Sequence, residues 1–170
     1  MALGSALLAL GACGDRGLEG KDCPAGTKAK TPSGYCLPRY LSLKRGEVYG
    51  RKGPGKDYAP SFVYHAQGLP VQVIDETSEW RRICDPDGGS VWVSRSMVIG
   101  RRTVMAVGAQ PIPLRRFPKA GAGAGAFLNA RALASLEQCR AGWCKVSVGG
   151  ASGWVQESEV WGVAPTPQCH

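Results

Sequence analysis

The sequence predicts an all-β protein made of two copies of one small unit in tandem, and three observations carry that reading. The 24 glycines and 12 prolines among 170 residues punctuate short apolar runs at brief intervals, as turns between strands do. Alternation with period two over four to seven residues, bounded by Gly, Pro, Asp or Ser, recurs along the chain, and no sustained helical stripe follows Gly14. The chain also repeats itself.

In chain order, Val48-Tyr49-Gly50-Arg51 aligns with Ile112-Pro113-Leu114-Arg115 as a first short strand. Gly68 to Ile74 then matches Leu128 to Ala134 in position and approximate alternation. Trp80-Arg81-Arg82-Ile83 and Trp143-Cys144-Lys145-Val146 share one shape, and each leads into a glycine turn, Asp85-Pro86-Asp87-Gly88-Gly89 or Gly149-Gly150. A second tryptophan strand follows, Val91-Trp92-Val93 or Gly153-Trp154-Val155, and each copy reaches a glycine soon after, Gly100 or Gly162. The run Gly121 to Ala126 falls where the loop after the first of these strands belongs; with no Lys-Ser or Lys-Thr and no helix after it, it reads as a flexible loop and not as a phosphate cradle.

Ahead of the repeat, Met1 to Ala12 is small and apolar, and Leu10-Gly11-Ala12-Cys13 resembles the bacterial lipobox. That resemblance implies lipid attachment at Cys13. Cleavage before Ala12 by an ordinary signal peptidase, using Ala9 and Gly11 as the small residues, is the alternative, and both imply export. With Cys13 set aside, Cys23, Cys36, Cys84, Cys139, Cys144 and Cys169 form an even set suited to disulfides in an oxidising compartment. Of the pairings open to six cysteines, spacing favours Cys23 with Cys36 and Cys139 with Cys144, which leaves Cys84 with Cys169. With no CxxC and with His65 and His170 as the histidines, ligand spacing does not suggest a metal site.

The combined order of motifs resembles the bacterial SH3-like domain. The first copy, 41–107, carries it through Val48 to Arg51, Gly53-Pro54-Gly55, Gly68 to Asp75, the Trp80 strand, the Asp85 to Gly89 hairpin and Val91-Trp92-Val93. The second, 110–163, does so through Ile112 to Arg115, the Trp143 strand and Gly153-Trp154-Val155. Residues 13–40 are then an exported linker with a disulfide loop, and 164–170 a C-terminal tail. The resemblance implies two small SH3-like β-barrels of five or six short strands, each with a helical turn before its last strand, near Ser94 to Met97 and Gln156 to Glu159. Tyr49-Gly50 replaces the usual polar-plus-Leu pair, Val91 stands where glycine is common, and the second copy lacks the Gly-Pro-Gly turn. The few residues around Ala109 and Gln110 that join the copies favour direct contact between barrels.

Function narrows by exclusion and by type. A nucleophile–histidine arrangement has His65 or His170 to draw on, and neither sits in a supporting motif. Asp75, Glu76, Glu79, Asp85 and Asp87 are expected on turns and strand ends, solvated. No catalytic residue and no cofactor is expected. The net charge of +8 is dispersed, which suits weak attraction to polyanions, and export disfavours nucleic acid. Because SH3-like folds receive extended ligands on aromatic side chains, Tyr49, Tyr58, Trp80 and Trp92 are the expected ligand-binding residues, with the tryptophans also serving barrel packing. The missing histidine partners imply a non-enzymatic protein, the export signal a periplasmic one, and the resemblance a binding module, with a protein–protein scaffold as the alternative and an envelope hydrolase as the lesser one. The module's partner is a cell-wall component such as peptidoglycan or, alternatively, an envelope protein, and a membrane is involved only through the lipid anchor.

Overall fold

A computed structural model describes residues 23–24, 27–28 and 31–169; Cys13 and His170 lie outside the described residues. Two seven-stranded antiparallel sheets fold into two small barrels. The first contains β1 (Arg39–Leu43), β2 (Val48–Arg51), β3 (Pro60–Tyr64), β4 (Pro70–Glu76), β5 (Trp80–Cys84), β6 (Ser90–Ser94) and β7 (Val98–Ile99). The second contains β8 (Thr103–Ala106), β9 (Ile112–Arg115), β10 (Ala124–Leu128), β11 (Leu133–Arg140), β12 (Trp143–Val148), β13 (Ala151–Gln156) and β14 (Val160–Trp161). Their strand orders, β3-β2-β6-β5-β4-β1-β7 and β10-β9-β13-β12-β11-β8-β14, are one topology used twice. The expected helical turns are 3-10 turns at Arg95–Met97 and Glu157–Glu159.

Alternation puts one side chain in two into each core. Leu43, Val48, Tyr64, Val71, Val73, Ile83 and Val93 pack inside the first barrel. Val104, Ile112, Leu114, Leu128, Ala134, Val146, Val155 and Val160 pack inside the second. Each hairpin from the fourth to the fifth strand carries a register shift at the same place, between Val73 and Asp75 and between Leu136 and Gln138.

Strand pairing corrects four expectations. Thr103–Ala106, read from the sequence as the end of the first unit, is the first strand of the second sheet, because it pairs with β11 and β14. Leu128 is the counterpart of Tyr64 and not of Gly68: the two pair with Ile112 and Val48 at equivalent points. The residue at the Gly68 position is Arg131, which takes the same left-handed backbone, φ 58° against 82°. That is a conformation in which glycine is the usual occupant, so its loss hid the alignment. Residues 31–38 are more than a linker, since Leu37 belongs to the first core. Ala124 to Ala126, expected in a loop, lie in β10.

The acidic residues divide. Glu76 is fully buried and bridges Arg39 (2.7 Å) and Arg81 (3.1 Å), while the Ser33 N–H donates to its other oxygen at 2.8 Å. Burial pushes its carboxyl up, but the hydrogen bonds from Ser33 and Arg39 and the Arg39 charge more than reverse this and bring it down to about 2. Asp85 is buried too. It accepts the Tyr64 hydroxyl (2.8 Å) and the Asp87 and Gly89 N–H groups (3.0 and 2.8 Å), fixing the hairpin. Both were expected to be solvated; buried partners outweigh the cost of desolvation here.

The barrels touch. Thr103 Oγ1 donates to Gly68 O at 2.6 Å and meets Ser42 Oγ at 2.6 Å, Tyr40 and Trp161 stack edge to face with centroids 5.3 Å apart, and Arg131 forms a two-pronged pair with Asp87 at 2.9 and 3.0 Å. Disulfides join Cys23 to Cys36, Cys84 to Cys169 and Cys139 to Cys144.

Candidate functional site

The outer surface of the first barrel carries a row of residues in register across four strands: Asp75 on β4, Arg82 on β5, Trp92 on β6 and Arg51 on β2. Trp80 lies two residues along β5 on the same face, opposite Ser94. Tyr49, two residues before Arg51 on the same face of β2, is 47% exposed. It can face outward because Val48 and Gly50 on either side turn into the barrel.

The loop that follows is held in shape. The Arg51 guanidinium donates to the carbonyls of Lys56 and Tyr58 at 3.1 and 2.7 Å, and the Lys52 N–H reaches Ala59 O at 3.3 Å. The Tyr58 ring lies on Gly53, where a Cβ would overlap it. One face of the ring is therefore fixed while the residue stays 50% exposed. Arg82 donates to Ser90 Oγ at 3.0 Å, and Lys52, Lys56 and Arg82 are exposed. Of the acidic side chains nearby, Asp75 pairs with Lys28 at 2.7 Å and Glu79 with Arg95 at 3.4 Å, while Asp57 is exposed on the loop between Lys56 and Tyr58. The Lys28 hydrogen bond draws the Asp75 carboxyl below its ordinary value.

Tyr49, Trp80 and Trp92 thus share one outer face, and Tyr58 sits on the loop beside it. Sequence reasoning missed Arg51 and Arg82, the cations that flank Trp92, and exposed Phe62, whose ring meets Tyr64 at 4.7 Å. Arg51 could have been found, because Arg115 repeats it. Arg82 carries no comparable signal, since Lys145 stands in its place.

The same surface of the second barrel is covered by its own side chains. Pro113 replaces Tyr49, and Arg115 lies over Trp143 (5.4 Å to the ring centroid) while pairing with Glu159 at 3.2 Å. Arg140 lies over Trp154 at 4.8 Å, and Trp154 is 7% exposed. By strand register, the first barrel carries Thr77 where Arg140 stands and Met97 where Glu159 stands.

For metals, the one close group of His, Cys, Asp or Glu among the described residues is Cys139, Cys144 and Glu157, and its two sulfurs are bonded to each other. His65 is exposed beyond the end of β3.

The model of the family described as bacterial SH3 domain matches residues 44–100 and 108–162. No curated protein matches the chain. Among solved structures the chain is similar to NlpC2 from Trichomonas vaginalis, at 10% identity and a TM-score of 0.33, over 74% of this chain and 48% of that one. It is similar also to NlpC1 from the same organism, at 10% identity and a TM-score of 0.32, over 73% of this chain and 45% of that one. The chain spans less than half the length of either.

Proposed function

The chain belongs to the bacterial SH3 domain family, and from that premise we propose that it is an exported, non-catalytic module that binds a cell-wall component, peptidoglycan foremost, through the outer face of its first barrel. The observation that carries this is the contrast between equivalent faces: in one barrel Tyr49 is exposed beside half-buried Trp80 and Trp92, and in the other Arg115 and Arg140 lie over Trp143 and Trp154. Aromatic faces suit the apolar sides of sugar rings and extended peptides. Arg51, Lys52, Lys56 and Arg82 offer the charge that free carboxylates of wall peptides seek. Three disulfides support an oxidising compartment. No helix among the described residues is long and apolar enough to cross a membrane, and lipid at Cys13 is the anchor this reading expects.

Cosedimentation with purified, enzyme-free sacculi tests it. The oxidised protein is retained at low salt and released as salt screens the basic rim. Tyr49→Ala, an exposed substitution outside the core, weakens retention by about tenfold, the loss expected for an aromatic anchor. Failure of the folded wild type to sediment, or equal retention of the variant, contradicts the reading and favours an envelope protein as partner.

A further inference from the structure

On the outside of the first barrel a second row, Tyr40, Gln72, Cys84 and Ser90, runs in register across β1, β4, β5 and β6. The C-terminal residues 164–169 cover it. The Gln72 amide donates to the carbonyls of Thr166 (2.8 Å) and Ala164 (3.5 Å) and accepts the Gln168 N–H (2.9 Å). Cys84 is bonded to Cys169. Gln72 is 1% exposed. Its amide meets main-chain groups at all three contacts, so Gln72 recognises the strap as peptide, while the disulfide ties it through the Cys169 side chain.

The equivalent row of the second barrel is Thr103, Ser135, Ser147 and Ser152, across β8, β11, β12 and β13. Short hydroxyl side chains stand where Gln72 and Cys84 reach their strap, and a cleft of about 530 Å³ remains. Gln67 and Gly68 of the first barrel close one side, and Gly149 and Gly150 another. Thr103 is engaged by Ser42 and Gly68, and Ser147 by Glu137, while Ser135 and Ser152 are exposed. No charged and no aromatic side chain lines the cleft. The lining therefore offers a charged ligand no counter-charge and a sugar no ring to stack on. Hydroxyls that both donate and accept match the alternating N–H and C=O of a peptide.

We propose that this inter-barrel cleft is a second binding site, distinct from the aromatic face, and that it takes an uncharged peptide segment in the manner in which the first barrel takes residues 164–169. The site binds weakly, with a Kd on the order of 1 mM, because its hydroxyls reach less far than a glutamine.

The test uses the full-length, oxidised protein and the capped hexapeptide Val-Ala-Pro-Thr-Pro-Gln, the sequence of residues 163–168, followed by amide NMR. Shifts are expected at Ser135, Ser147, Gly149, Gly150 and Ser152. Ser135→Gln, which places the amide of the first barrel in the second, tightens binding about fivefold, the gain of one neutral hydrogen bond. Ser152→Trp, an exposed substitution that fills the cleft, abolishes the shifts. Silence at these residues in both the wild type and Ser135→Gln overturns the proposal. So do shifts centred on Gln72, which would report displacement of the strap, or saturation by a neutral oligosaccharide in place of the peptide. None of these results bears on retention by sacculi through Tyr49.

Discussion

The two barrels share strand order, register shifts and 3-10 turns, yet at three equivalent points they use opposite side-chain solutions. Where β2 crosses β6, Gly50 makes room for Val91: a Cβ at Gly50 would lie 2.6 Å from Val91 Cγ2. Where β9 crosses β13 the sizes are exchanged, and a Cβ at Gly153 would lie 2.7 Å from Leu114 Cβ. Where β4 pairs with β5 past the register shift, Glu76 stands opposite Arg81 as a buried ion pair; the same pair in β11 and β12 is the disulfide Cys139–Cys144. On the outer face, Tyr49 is exposed in one barrel where Pro113 stands in the other, and there Trp143 and Trp154 lie under arginines. The shared backbone fixes which positions must be complementary, while the means of satisfying them differs between the barrels. Under the proposed function, the face without covering arginines is the one whose complement lies outside the molecule.

The largest expected effect breaks the ion pair. Glu76→Gln leaves Arg39 and Arg81 without their counter-charge and destabilises the first barrel by about 3 kcal/mol in denaturant unfolding, the cost of removing one partner of a buried pair. The wild type carries the same dependence in its acid titration. The carboxyl is held at about 2 in the folded chain and titrates near about 4.3 when unfolded. Its contribution is therefore present above that unfolded value and is lost as pH falls toward 2. Amide exchange should show the first barrel loosening across this window, and Glu76→Gln should flatten the response.

Next, Gly50→Leu overpacks the first barrel and costs about 3 kcal/mol. Combined with Val91→Gly, which reproduces the Leu114–Gly153 arrangement, it recovers most of that loss, and a double-mutant cycle reads the coupling. Additive losses would show that the exchanged sizes are not a compensated pair. Replacing Cys139 and Cys144 together by Ser costs about 2 kcal/mol for a loop this short, and the loss should appear in exchange protection of the second barrel. Smallest is Arg131→Ala, which removes an exposed pair with Asp87 across the barrels and should shift stability by less than about 1 kcal/mol.

Much of this was legible in the sequence. The paired tryptophan strands and glycine turns revealed the repeat, and Tyr49, Tyr58, Trp80 and Trp92 were recognisable by type. The first strand of each barrel was not. Arg39–Leu43 straddles the start of the first copy as read and precedes its first matched segment, and Thr103–Ala106 reads as the end of that copy, so only pairing assigns it to the second. The exchanged glycines looked like departures from the family pattern until both strands of each pair could be compared. The capping of Trp154 was out of reach because Arg140 arrives past a register shift and Glu159 from a 3-10 turn, and alternation along a strand predicts neither. Glu76 and Asp85 were expected in water because nothing in a linear pattern shows that Ser33, Arg39 and Tyr64 come to meet them.

Whether the first barrel presents a binding face that the second barrel lacks is read from the tryptophan indole N–H signals during titration with soluble wall fragments. Trp80 and Trp92 are expected to move together and saturate while Trp143, Trp154 and Trp161 stay in place. Movement of Trp143 and Trp154 in place of Trp80 and Trp92, or no movement in a folded sample, would contradict that expectation.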